Sequence, residues 1–86
     1  MPEVSRFFGI IIAMYYNDHV PPHFHAKYGD EQASIRIDNG EILEGDLGTR
    51  VLRLVEEWRT LHQTELLETW ARALARQPLS KIEPLE

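Results

Sequence analysis

Cysteine is absent from this 86-residue chain. No disulfide can staple the fold, and a structural zinc site would have to be built from histidine and carboxylates alone. Long hydrophobic runs are missing too: nothing approaches the roughly 20 apolar residues that a membrane-spanning helix needs. The N-terminus has neither the basic start nor the small-residue cleavage site of a secretory signal, so the expected location is cytoplasmic, with no membrane partner. Positive charge is scarce, with 9 Lys and Arg against 14 Asp and Glu and a net charge of -5. Broad electrostatic capture of nucleic acid rests on clustered Lys and Arg, and this composition argues against it. Internal repeats and low-complexity tracts are lacking as well.

The hydrophobic share of 43% and charged share of 27% are those of a soluble globular protein. A chain this short has room for one domain and one core, and buries only about 60% of its unfolded surface. Its charge is unevenly placed. In residues 1–29, Arg6 and Lys27 balance Glu3 and Asp18, whereas residues 30–46 carry six carboxylates against Arg36 alone. Three of the four histidines, His19, His23 and His25, fall in the least acidic stretch, with Pro21 and Pro22 among them.

Residues 7–16, FFGIIIAMYY, form a near-continuous apolar run rich in β-branched and aromatic side chains. This predicts one strand, central or covered on both faces. The segment from Asn17 to Pro22 ends it, because proline cannot donate to a ladder and biases its predecessor toward extended geometry. HFHAKY and QASIRI then flank a Gly29-Asp30 pair suited to the type II′ turn of a two-residue hairpin. That turn sets His23 opposite Arg36, Phe24 opposite Ile35, His25 opposite Ser34, Ala26 opposite Ala33 and Lys27 opposite Gln32. Every pair matches in polarity. One face therefore carries Phe24, Ala26, Ala33, Ile35 and Ile37, and the other His23, His25, Lys27, Gln32, Ser34 and Arg36.

Asn39-Gly40 predicts a second hairpin and a short fourth strand over residues 41–44, with Ile42 opposite Ile37. In that register Glu44 falls on the apolar face and Leu43 on the polar one, so this strand is expected to bulge or fray after Leu43. From Gly48 to Arg76 the apolar spacing is helical, but Val51, Leu54, Val55, Trp58 and Leu61 lie on a different side from Leu66, Leu67, Trp70 and Leu74. Two helices fit better than one. Thr60-Leu61-His62-Gln63 has the form of a capping box and places the break at residues 60–64. The expected fold is α+β: an antiparallel meander of about four strands over residues 1–46, two helices over 47–76 packed on one face, and an extended tail over 77–86. Trp58 and Trp70 belong to the core, and His62 to a cap or helix surface.

Three roles compete for the histidine segment. In a metal site, His23 and His25 would project from one strand face and His19 or Asp18 would complete a set with open positions. Lys27 and Arg36 on that face would repel a cation, and no carboxylate is evident there to orient the imidazoles, so metal binding is expected to be weak or absent and no cofactor is expected. In a metal-free site for a phosphodiester or nucleotide, His19, His23 and His25 would move protons near neutrality. Arg36, Lys27 and Arg6 would contact the anion, and Tyr15, Tyr16 and Tyr28 would stack on a base. As a plain interaction surface, the same residues would blunt exposed strands or dock a second protein. A solvated sheet face carries this pattern without any chemistry, and the residues alone leave catalysis and binding both open.

N-D-H-x-P-P-H-F-H at 17–25 does not stand alone. With P-x-x-S-R-F-F-G-I at 2–10, K-Y-G at 27–29, G-E-I-L-E-G at 40–45, L-V-x-E-W-x-x-L-H at 54–62, E-L-L-E-x-W at 65–70 and K-I-x-P-L at 81–85, the chain resembles the small bacterial, archaeal and phage proteins called domain of unknown function 4160. Members often have proline after Leu47, where this chain has Gly48, which loosens the start of the first helix. Genes of the family often neighbour another small domain in an arrangement read as a type II toxin-antitoxin pair. The resemblance therefore implies a protein partner encoded next door, and carries no catalytic residue with it. A toxin acting on RNA or nucleotides through the histidine site is the expectation, with a non-catalytic protein-binding, antitoxin-like or metal-binding module as the alternative. A homo-oligomer or bound partner is expected on physical grounds also, because two helices on one side cannot cover both faces of a strand over residues 7–16.

Overall fold

The computed structural model describes residues 3–16 and 19–86. Five strands form one antiparallel sheet in the order β1-β2-β3-β4-β5. They are β1 (Glu3–Phe7), β2 (Ile10–Ala13), β3 (His23–Tyr28), β4 (Glu31–Arg36) and β5 (Ile42–Gly45), and two helices follow, α1 (Thr49–Leu61) and α2 (Gln63–Leu74). The α+β class and the meander are as expected, with one strand more.

The extra strand corrects the reading of FFGIIIAMYY. The run is not one strand: it folds back at Phe8-Gly9, with Phe7 paired to Ile10 across a two-residue turn. Both turn residues have positive φ, 50° at Phe8 and 80° at Gly9, the signature of a type I′ hairpin turn. Folding back lets Val4, Phe7, Ile10, Ile12 and Met14 all reach the core. The need for a partner to cover a two-faced strand disappears with the strand itself.

The β3–β4 register agrees pair by pair with the expected one, from His23↔Arg36 to Lys27↔Gln32. Gly29 turns with φ 59°, as the first central position of a II′ turn requires. Next to it the β4–β5 pairing departs from expectation. Ile42 pairs with Ile35 rather than Ile37, because the backbone of Ile37 is engaged elsewhere. Its N–H donates to the Pro22 carbonyl at 3.0 Å, and its carbonyl accepts from Arg59 Nη1 at 2.8 Å. Asn39-Gly40 accordingly lies in a wider loop closed by Arg36 N–H to Glu41 O at 2.9 Å. The irregularity expected after Leu43 is present: the register shifts between Ser34 and Ile35, bringing Glu44 opposite Ser34. Leu43 is the residue left over, as in a β-bulge.

α1 covers the apolar face. The Trp58 ring lies 5.8 Å from Phe24 and 5.4 Å from Phe7, and Val51, Val55 and Leu66 join the same core. The break between the helices is where the pattern predicted it, but no capping box forms. His62 caps α2 without a side-chain cap bond, its Nδ1 lies 2.6 Å from Glu65 Oε1, and Thr60 Oγ1 donates back to Glu57 O instead. The tail runs along the outer edge of the sheet. Ile82 N–H donates to Val4 O at 2.8 Å, Trp58 Nε1 donates to Glu83 O at 2.9 Å, and Ile82 and Leu85 are buried. No helix among the described residues is long and apolar enough to cross a membrane.

Candidate functional site

Directly paired residues of an antiparallel sheet share a face, so the registers map the surface opposite the core. One row reads Arg6, Ile11, Lys27, Gln32, the next Glu3, Ala13, His25, Ser34, Glu44, and a third pairs His23 with Arg36. All three rows meet on β3, where His23, His25 and Lys27 alternate with the buried Phe24 and Ala26.

His25 sits at the centre of this face and is half-buried. Its Nδ1 lies 3.3 Å from Ser34 Oγ. The Tyr15 ring meets it edge-on at 4.7 Å, and the His23 ring lies 5.2 Å away. His23 is held more firmly. Its Nδ1–H donates to the Pro21 carbonyl at 2.8 Å, which assigns the ring proton to Nδ1 because a carbonyl can only accept. The Trp70 ring of α2 packs on it at 5.3 Å, leaving His23 only 8% exposed. The expectation of a fully open histidine face is therefore corrected: α2 reaches round the end of the sheet and covers the His23 end. The peptide bond before Pro21 is cis.

The remaining candidates divide. Lys27 shares the face two residues along from His25, about 7 Å at strand rise, and has no ion-pair partner among the described residues. Arg6 stands in the same row as Lys27, bridged to Glu3 through Nη2 to Oε1 at 2.8 Å. Arg36 is on the correct face by register, but its guanidinium clasps Asp38, at 2.6 Å from Nε to Oδ1 and 3.1 Å from Nη2 to Oδ2. That pairing holds the Asp38 carboxyl below its ordinary value and raises Arg36, so Arg36 serves the loop rather than an incoming anion. His19 lies in the exposed approach to β3, and Asp18 lies outside the described residues. Among the described residues, no group of three His, Asp or Glu side chains is disposed to hold a metal ion.

Beside His25 a shallow cleft of about 230 Å³ is lined by His25, Gln32, Ala33, Ser34, Glu44 and Gly45. The charges on the face are unevenly placed: Lys27 stands unpaired among the described residues on β3, Glu3 neutralises Arg6 at the β1 side, and Glu44 makes the β5 side anionic. Two contributors escape the sequence reading. Glu44 reaches this face only through the bulge at Leu43, and Trp70 reaches His23 only because α2 lies where it does. The conflict in polarity at Leu43 and Glu44 was the one sequence signal for the first, and nothing local signals the second.

No curated protein and no solved structure matches the chain. One family does, across residues 9–71, well over half of the length and including the whole histidine segment and both tryptophans. The chain belongs to the family described as Domain of unknown function (DUF4160).

Proposed function

We propose that the β3 face is a phosphate-ester site and that the protein acts on RNA or a nucleotide, as the toxin of a two-gene toxin-antitoxin-like module in the cytoplasm. The observation that carries this reading is the pair of imidazoles 5.2 Å apart on one sheet face, with the cations Lys27 and Arg6 one row away. Two imidazoles in edge contact can serve one phosphoryl group lying against both, one accepting a proton from the attacking hydroxyl and the other donating to the leaving oxygen. Lys27 stabilises the charge that develops on the phosphoryl oxygens, with Arg6 joining it only on release from Glu3, and Tyr15, edge-on to His25, offers its ring to a base. In this scheme His25 is the catalytic imidazole in contact with substrate. His23, anchored by Pro21 and Trp70, is the better ordered of the two, and Ser34 positions His25. Arg6, Arg36 and His19 have lesser claims, the two arginines because Glu3 and Asp38 occupy them and His19 because it stands on the approach.

The burial of His23 favours a second reading, in which the Pro21–His23–Trp70 stack is structural and the face binds a protein partner, as an antitoxin would. Expression of the chain with and without its neighbouring gene product, following growth and total RNA, separates the two. The catalytic reading expects growth arrest with RNA loss, both abolished by His25→Ala in a protein that still folds. Arrest that survives His25→Ala, or the absence of arrest when the chain is expressed without its neighbour, supports the binding reading instead.

A further inference from the structure

The sheet carries a second concave surface on the side opposite the histidines. Tyr28 alternates with Lys27 along β3 and so faces the α1 side. There, between the tip of the first hairpin and the start of α1, lies a groove of about 450 Å³, within the range of pockets that take specific ligands. The sheet contributes Phe8, Ile10 and Tyr28 to it, and α1 contributes Arg50, Val51, Arg53 and Leu54.

Two features of this groove are not explained by folding. Phe8 is 60% exposed and occupies a turn position with φ 50°, where asparagine or glycine would meet the turn's demand at lower cost. A bulky ring that is both solvated and held in the left-handed region adds little to the core; its ring contact with Phe7 is edge-on at 6.4 Å. The second feature is charge. In a chain of net charge -5, the charged residues lining the groove are both cations, and neither Arg50 nor Arg53 has an ion-pair partner among the described residues. The first turn of α1 holds no acidic residue, and its cap, Gly48, supplies no side chain, so the positive end of the helix dipole adds to theirs.

We propose that this groove docks a short acidic segment of a second protein. Its aliphatic side chains enter between Phe8, Tyr28 and Leu54, and its carboxylates meet Arg50 and Arg53. An apolar lining rimmed by unpaired cations selects that combination: apolar burial supplies affinity, and the charges choose an acidic segment over a neutral or basic one. The site lies across the sheet from His25, so occupancy of one surface leaves the other open.

Selection of random peptides displayed on phage against the full chain tests this, followed by titration of a synthetic consensus peptide with NMR detection. The expected consensus combines Asp or Glu with Leu, Ile or Phe, and shifts the amides of residues 8–10, 28 and 49–54. Phe8→Asn, which suits the turn, should keep or raise the melting temperature while weakening the peptide at least about tenfold. Arg50→Glu combined with Arg53→Glu should weaken it likewise, and His25→Ala should leave it unchanged. A consensus with no acidic bias, or affinity indifferent to these variants, overturns the proposal. So does adenosine monophosphate shifting the same amides where no peptide does, or concentration-dependent self-association through Phe8, either of which assigns the groove a different occupant.

Discussion

At His25, contacts from three strands or their ends converge: Tyr15 beyond β2, His23 on its own strand, and Ser34 on β4. The sequence makes the first half of this visible. His23 and His25 at spacing two must share a face, and matching polarity down both strands puts Ser34 and Arg36 beside them. It does not show which of these side chains are available. Arg36 is diverted by Asp38 two residues on, and His23 is covered by a tryptophan almost fifty positions away, a contact that depends on where α2 docks and not on local pattern. Ser5 shows the opposite case, a polar side chain that the fold does not use. It is buried, and its Oγ has no hydrogen-bond partner among the described residues. A buried hydroxyl without a partner carries a desolvation cost of about 1–3 kcal/mol, so Ser5→Ala is expected to leave stability unchanged or raise it. A urea melt in which Ser5→Ala lost more than about 1 kcal/mol would show that the hydroxyl has a partner after all.

Among the elements, the β3–β4 hairpin was readable because turn chemistry and polarity agree, and the β1–β2 hairpin was not because they conflict. Phe8-Gly9 has one turn-forming residue, inside an apolar run that reads as a single strand. The β4–β5 loop failed for another reason: a preferred local turn at Asn39-Gly40 lost to the tertiary bonds of Ile37. Arg59 supplies one of those bonds. Buried on α1, it donates to the Ile37 carbonyl and also clasps Glu56, with Nε to Oε2 at 2.8 Å. The hydrogen bonds from Arg59, aided by its charge, hold the Glu56 carboxyl below its ordinary value of 4.5 and outweigh the opposing effect of burial. A carboxyl depressed in the folded state contributes stability at pH values above its unfolded pKa, and that contribution is lost as pH falls through the folded pKa. Glu56→Gln should therefore be less stable than wild type at pH values above about 4.5 and lose less on acidification, so that the two converge in acid. Because Glu56 faces solvent, the difference should stay under about 1 kcal/mol. Arg59→Met should cost more at every pH, about 1–3 kcal/mol, since it strips the buried Ile37 carbonyl of a charged donor. A difference between wild type and Glu56→Gln that stays constant across pH, measured by urea denaturation, would refute the pairing.

For the whole molecule, the decisive element is the one with the weakest sequence signal. The tail over residues 77–86 reads as a short extended piece between prolines, yet it shields the free edge of β1 through Ile82 and closes over Trp58 through Glu83. An exposed strand edge beside an uncovered tryptophan is an association hazard. A chain ending at residue 78 should lose stability and self-associate, and light scattering at micromolar concentration would show it; a stable monomeric truncation would remove the tail from the core. With the tail in place, the sheet presents two separate surfaces, the histidine face and the groove at Phe8, on opposite sides of β3. The histidine face is tested most directly by incubating the purified full chain with a short single-stranded RNA and comparing wild type with His25→Ala, Lys27→Ala and Ser34→Ala, each shown to fold by its thermal melt. Cleavage with a bell-shaped pH dependence, abolished by His25→Ala and reduced by the other two, is the predicted result. RNA left intact by the wild-type chain, or cleaved equally by folded His25→Ala, would contradict it.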